Sequence, residues 1–371
     1  MDKAAALGLR MTSLLLRGNA PGSVAGIVEW FGAMQAQDVN SGLWSLGCRL
    51  PGSTLADVNA ALEDKSVLRT WPMRGTVHFV PSADVHWMLE LMGVRALAGA
   101  NKRRETLGLD EATVDRAVDI LGDALKGGRL TRAECLAAIT DGGVEVTGQR
   151  GYHLLWYSAQ RGVTAIAPHV GKEQTFVLLD EWVPAPNRPA REEALGIIAL
   201  RYFRSHGPAT LKDFVGWTGL TVTDCRAGIA ENGDALATVD VDGTPMFAAT
   251  ALLDGATPDI AAAGGTEAAA GGSDGWLALP GFDEFMLGYK DRSLMTDNVD
   301  AIVPGGNGVF RSTLVQRGRV RATWTRTLTA KGVTVTVEPL TSFTKKDRDA
   351  AAKALDPYAA YLGLPLTVKN P

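Results

Sequence analysis

Val67-Leu68-Arg69-Thr70-Trp71, then Pro72-Met73-Arg74-Gly75, then Thr76-Val77-His78-Phe79-Val80 is the stretch that decides how the first part of the chain folds. β-Branched and aromatic residues fill both flanks, and the Pro-to-Gly segment between them carries turn chemistry. The reading is two short strands joined at Pro72–Gly75. Helix signals crowd the residues before it. Residues 3–17 read as a helix stopped at Gly18-Asn19. Ser23 caps a helix running to Met34, with Val24, Ile27, Val28 and Phe31 on one face. Further helices are expected at 42–49 and 54–64, the last opened by Thr54 with Asp57 three residues on.

Helices followed by a hairpin is the order of a winged helix, and the order recurs. Residues 82–107 read as helical connectors, followed by helices at 110–126, 131–140 and 148–161 and strands near 163–168 and 175–179. Helices at 191–205, 210–217 and 221–231 then precede strands near 236–241 and 245–249. Thr131-Arg132-Ala133-Glu134 and Thr210-Leu211-Lys212-Asp213 are matching helix starts. The repetition is one of architecture, not of residues. The expected class is α+β: three tandem winged-helix modules with a C-terminal β unit and helix, forming a DNA-binding channel. The expected segments are 1–81, a connector with the second module at 82–182, the third module at 190–250, a flexible Gly/Ala-rich loop at 251–275, and a β unit with a closing helix at 276–371.

Inside the first module sits Met34-Gln35-Ala36-Gln37-Asp38. Residues at i and i+2 point to opposite sides of a helix but to one side of an extended segment. If both amides serve one site, the chain must leave the helix here, and Asp38, Asn40, Ser41 and Gly42 read as a break and a new cap. A glutamine amide does not titrate, so it cannot act as a general base. It can accept from a water and donate to it, and thereby position it.

Four further stretches stand in order with that triplet: Arg69 to His78, Gly207 to Phe214, Leu279 to Ser293, and Asn307-Gly308-Val309-Phe310 followed by Gly318 to Trp324. Together they resemble the AlkZ/YcaQ family of DNA glycosylases over roughly residues 5–360, and Gln35-Ala36-Gln37 resembles that family's Gln-apolar-Gln catalytic motif. The resemblance implies a monofunctional glycosylase with Gln35 and Gln37 catalytic, acting on cationic N7-alkylated purines in double-stranded DNA. It is nearest to the branch that unhooks interstrand crosslinks in producers of azinomycin-type antibiotics. By position, Arg74 and His78 on the first hairpin read as DNA or active-site contacts, the alternative being a His held by backbone partners; Tyr289, Lys290 and Arg292, after a Gly in a loop of the last unit, read as phosphate contacts or, with Asp291, as a surface ion-pair cluster. Some relatives carry Asp at the second motif position. This chain has Gln37 there and Asp38 next, pointing away from both amides if the segment is extended.

Composition sets bounds on these readings. Hydrophobic residues are 46% and charged residues 21% of the 371, which is globular and not disordered. A formal charge of −4 argues against indiscriminate nucleic-acid binding, so a DNA partner needs a local basic face. No acidic residue lies between Asp300 and Glu338, whereas Arg311, Arg317, Arg319, Arg321, Arg326 and Lys331 do. On a strand, Arg317, Arg319 and Arg321 would share one face and meet phosphates, driven by counterion release. Cys48, Cys135 and Cys225 are distant and odd in number, which suits reduced thiols in the cytoplasm and neither disulfides nor zinc. His86, His153, His169 and His206 lack metal-ligand spacing. The expectation is a cytoplasmic monomer with no metal, cofactor or membrane span. The rival reading is a winged-helix transcriptional regulator without catalysis, which would need a dimerisation element that the sequence does not offer.

Overall fold

A computed structural model of the protein describes residues 1–255, 266–267, 275–306 and 308–370. The chain divides into two compact units, one of Met1–Ala61, Leu195–Trp217 and Thr221–Pro371, the other of Leu62–Ala194 and Thr218–Leu220. The helices and the hairpin of the first expected module therefore belong to different units. Most of the expected loop at 251–275 lies outside the described residues, as does Asn307.

In the first unit the opening helices are Lys3–Ser13, Val24–Phe31, Val39–Gly47 and Leu55–Leu62, the last ending one residue beyond the unit's first segment. Their starts follow local chemistry. Ser23 accepts from the Gly26 N–H at 3.1 Å, and Thr54 and Asp57 cap each other reciprocally, with the Thr54 N–H on Asp57 at 2.8 Å. The buried face of Val24–Phe31 holds Val24, Ile27, Val28 and Phe31, as the periodicity predicts. Helices Arg191–His206, Leu211–Thr218 and Val222–Glu231 precede a hairpin of Leu236–Val241 and Thr244–Ala249. Thr210 caps with Asp213, the Thr210 N–H to carboxylate distance being 2.9 Å.

The last part of this unit is a sheet in the order Trp276–Leu279, Ser312–Gln316, Arg319–Thr329, Gly332–Pro339, Leu366–Lys369. The first three pairings are antiparallel and the last is parallel, with Val335 opposite Val368. The expected closing helix is two helices, Lys345–Lys353 and Asp356–Leu362. Pro357 near the start of the second has no N–H to carry one helix through, which ends the first before it. The sequence reading lacked the strand Leu366–Lys369.

The second unit holds helices Glu111–Ala124, Arg132–Asp141 and Arg150–Gln160, with Thr131 and Glu134 forming a capping box. The hairpin Val67–Met73/Thr76–Pro81 and the hairpin Thr164–Val170/Glu173–Leu178 do not stand apart as separate wings. They join antiparallel through Arg69 and Ile166, and Arg129–Thr131 pairs with Glu173–Leu178. Every residue of Val67–Met73 is buried, which fits a strand with neighbours on both edges better than an exposed wing.

Candidate active site

Helix Val24–Phe31 ends at Gly32, whose φ is 78°, a left-handed conformation that costs glycine little. Met34–Gln35 is then extended, and the next helix starts at Val39 under Asp38. The chain has thus left the helix before Gln35. Asp38 accepts from the Asn40 N–H at 3.2 Å and the Ser41 hydroxyl at 2.6 Å, and Arg326 lies 3.6 Å from it. It is a helix cap with a cationic neighbour.

The two glutamines differ in exposure. Gln35 is 7% exposed and Ala36 1%, whereas Gln37 is exposed. The Gln37 N–H donates to Gln35 Oε1 at 3.2 Å, so the first amide is oriented by the backbone of the second. The Gln35 N–H in turn donates to Glu284 Oε1 at 3.1 Å. Glu284, 1% exposed, also accepts from Trp217 Nε1 at 3.0 Å through Oε2, and His206 Nε2 lies 3.3 Å from that same oxygen. Tyr202 stacks on the His206 ring at a centroid distance of 4.6 Å, and Phe31 meets its edge.

The neighbouring carboxylate, Asp283, is equally enclosed. Arg49 donates to its two oxygens at 2.8 and 2.9 Å, and the Ser45 hydroxyl donates at 2.6 Å. Burial works against the Arg49 charge, but Asp283, Cys48 and Glu284 around it together outweigh that and raise its pKa. Gly288 is the passage point of this loop. A Cβ there would sit 2.2 Å from His206 Cδ2, so no side chain fits. Buried ion pairs of this kind hold a geometry more than they stabilise a fold. Glu284, next in the chain to Asp283, holds the backbone N–H of Gln35.

The remaining expected residues fall into two groups. Arg74 is exposed at the tip of the first hairpin with φ 54°, and it approaches His78 Nε2 at 3.5 Å. Lys290 is exposed, its backbone N–H held by Asp213 Oδ1 at 2.7 Å. Arg292 is half-buried, donates from Nε to the Met286 carbonyl at 2.7 Å and lies over the Phe310 ring. Arg317 is exposed.

Others depart from expectation. His78 is fully buried, with Nδ1 2.8 Å from the Thr76 carbonyl, which leaves it no surface for DNA; it supports Arg74 instead. Tyr289 is 1% exposed, its hydroxyl donates to the His206 carbonyl at 2.8 Å, and burial pushes its pKa up. It packs the interior and cannot meet phosphate. Arg317 precedes the strand Arg319–Thr329 and occupies a turn with φ 50°, so it is no member of a three-arginine strand face. Arg319 pairs with Asp297 and donates to the Ser293 carbonyl at 3.0 Å. Arg321 donates to Gln316 Oε1 at 2.6 Å and packs near Trp276 and Phe343. Arg311 lies 3.5 Å from Glu338. A segment without acids of its own thus draws acids from elsewhere in the chain.

The supports of Gln35, namely Glu284, His206 and Trp217, were not singled out by sequence reasoning. The only hint was that Glu284 falls inside Leu279 to Ser293, one of the ordered motifs.

An extended Gln35 held by a buried carboxylate, with Gln37 at the bend that follows, is the arrangement that the family comparison bears on. The sequence pattern of the AlkZ-like DNA glycosylases matches residues 28–361, and the chain belongs to that family, whose enzymes hydrolyse N-glycosyl bonds. An interstrand DNA cross-link repair glycosylase of Streptomyces sahachiroi is 26% identical over 327 residues, covering 85% of each chain. The solved structure of the Streptomyces sahachiroi DNA glycosylase AlkZ superposes over the whole of both chains with a TM-score of 0.78 at 24% identity, which establishes a common fold. Among the described residues no helix is long and apolar enough to cross a membrane.

Proposed function

We propose that the protein excises cationic N7-alkylated purines from double-stranded DNA, including purines tethered in interstrand crosslinks, with Gln35 and Gln37 as the catalytic pair. The observation that carries this is the exposed Gln37 amide beside a Gln35 amide whose carbonyl is fixed by the Gln37 N–H and whose backbone is fixed by Glu284. Two oriented neutral dipoles can hold a water beneath C1′ and stabilise positive charge on the sugar. They cannot remove a proton, so the bond must break with little help. An N7-alkylated purine meets that demand. Its positive charge draws the C1′–N9 electron pair onto the base, which leaves neutral. The water oxygen then bonds to C1′, and its proton passes to solvent.

The crosslink-repair name of the Streptomyces sahachiroi relative supports extending this chemistry to tethered guanines. A tethered base cannot rotate fully out of the duplex. The enzyme must then reach C1′ from a groove, which suits a motif whose second glutamine, Gln37, is exposed while Gln35 lies buried behind it. On this reading the exposed basic residues Arg74 and Lys290 meet the duplex backbone, the protein works as a monomer in the cytoplasm without metal or cofactor, and its biological setting is self-resistance to azinomycin-type crosslinking agents.

The test is duplex DNA carrying N7-methylguanine, incubated with enzyme and then cleaved with alkali at any abasic site. Wild type should release strand fragments, and Gln35→Ala and Gln37→Ala should each release far fewer. Equal cleavage by all three proteins would take the pair out of the mechanism.

A further inference from the structure

The second unit contains a feature that the excision chemistry does not use. A trough of about 530 Å³ is lined by residues of this unit alone. Arg95 and Arg103 line it from the helical segment that follows residue 92, and Tyr152, His153 and Trp156 line it from one face of the helix Arg150–Gln160. The spacing of the last three, i, i+1 and i+4, places them on adjoining strips of that helix. Arg74, at the hairpin tip, closes one end. No residue lining the trough is acidic. Arg95 and Arg103 are exposed, and Tyr152 is 39% exposed, unusual for a large aromatic side chain. His153 is 6% exposed, and its Nε2 is buried without a hydrogen-bond partner.

Phosphate alone would explain the arginines but not the aromatics. An apolar ligand would explain the aromatics but not the arginines. A nucleotide accounts for both, because its phosphate is anionic and every base has a π face.

Resting on the DNA-directed reading above, we propose that this trough binds one unpaired nucleotide of a DNA strand. Its phosphate lies against Arg95, Arg103 and Arg74, and its base stacks on Tyr152. A lesion that disrupts pairing leaves such a nucleotide near the damaged base.

The experiment is a fluorescence-anisotropy titration of a labelled single-stranded thymidine oligonucleotide, without any lesion, over a range of salt. Wild type, Tyr152→Ala and the double variant R95S/R103S are compared, with melting curves to show that these surface changes leave the fold intact. Tyr152→Ala should weaken binding about 5-fold or more at every salt concentration, in line with base–aromatic stacking. R95S/R103S should weaken it and reduce the salt slope by about 1.4, about 0.7 per phosphate contact on a single strand. Loss in the arginine variant with none in Tyr152→Ala would reduce the trough to a phosphate patch and overturn the proposal, as would unchanged binding in both. Because the oligonucleotide carries no lesion, these outcomes are independent of whether N7-alkylpurines are excised. Should excision fail while Tyr152-dependent binding persists, the catalytic assignment falls and the subsite stands.

Discussion

In the first unit the charged and polar side chains around the Gln35 anchor are buried and satisfied: Asp283 takes Arg49 and Ser45, and Glu284 accepts from Trp217 and the Gln35 backbone. Along the trough of the second unit, cations stand exposed with no carboxylate among the lining residues. The first arrangement turns charge into fixed position, because in a low-dielectric interior a satisfied pair resists displacement. The second leaves charge available to a ligand at the cost of repulsion among its own members. Chemistry that relies on two uncharged amides needs the first kind of support, and recognition of a polyanion needs the second kind of surface.

The sharpest way to break this comparison is to remove one buried partner. Asp283→Ala leaves the Arg49 guanidinium enclosed and unpaired, and should destabilise the protein by about 3–5 kcal/mol, read as a fall in the urea midpoint. A change below about 1 kcal/mol would mean that the buried network holds little in place. Next in size, Gln37→Ala should lower kcat by about 10²-fold to 10³-fold, the cost of removing one oriented dipole, while KM for alkylated duplex stays near wild type. The single variant Arg95→Ser should show the reverse pattern in steady-state assays, with KM raised and kcat kept. Swapped patterns would assign binding to the glutamine and catalysis to the trough.

A smaller effect is expected from the exposed capping box of the second unit. Thr131→Ala removes the acceptor for the Glu134 N–H at 3.2 Å and should cost about 1 kcal/mol in chemical denaturation, well short of the buried pair. The smallest is a silence. Burial pushes the Cys48 and Cys135 thiols up to about 12 each, so neither should react with iodoacetamide at pH 8 in the folded state. Both folded values lie above those of the unfolded chain. The unfolded state therefore releases protons first as pH rises past 9, and stability should fall between there and pH 12. Rapid alkylation of the native protein would show that these sites open readily.

Much of the secondary structure was legible because its signals are local. Ser23, Thr54, Thr131 and Thr210 each announce a helix within three or four residues, and the buried face of Val24–Phe31 follows from spacing alone. The extended Gln35 could be inferred from what an i, i+2 pair requires. Its anchorage could not, since Glu284 lies 249 positions away and no periodicity spans that distance. The merging of two hairpins into one sheet was invisible for the same reason, resting on the pairing of Arg69 with Ile166. The Arg317 error was local and avoidable. Arg317-Gly318 is a turn, with φ 79° at Gly318, and alternation of charge concealed it. Tyr289 and His78 failed because sequence shows which side chains could bind DNA, and only packing shows which of them face outward.

The long separation between Gln35 and its anchor bears on how the enzyme comes into being on the ribosome. The 133 residues of Leu62–Ala194 form a compact body that can fold while synthesis continues. The glutamine motif emerges before that body, yet the Gln35 N–H has no carboxylate partner until Glu284 has been translated. A nascent or prematurely released chain would carry the reactive signature without the frame that aims it. Competence to cut a glycosidic bond is thus deferred to the final quarter of translation.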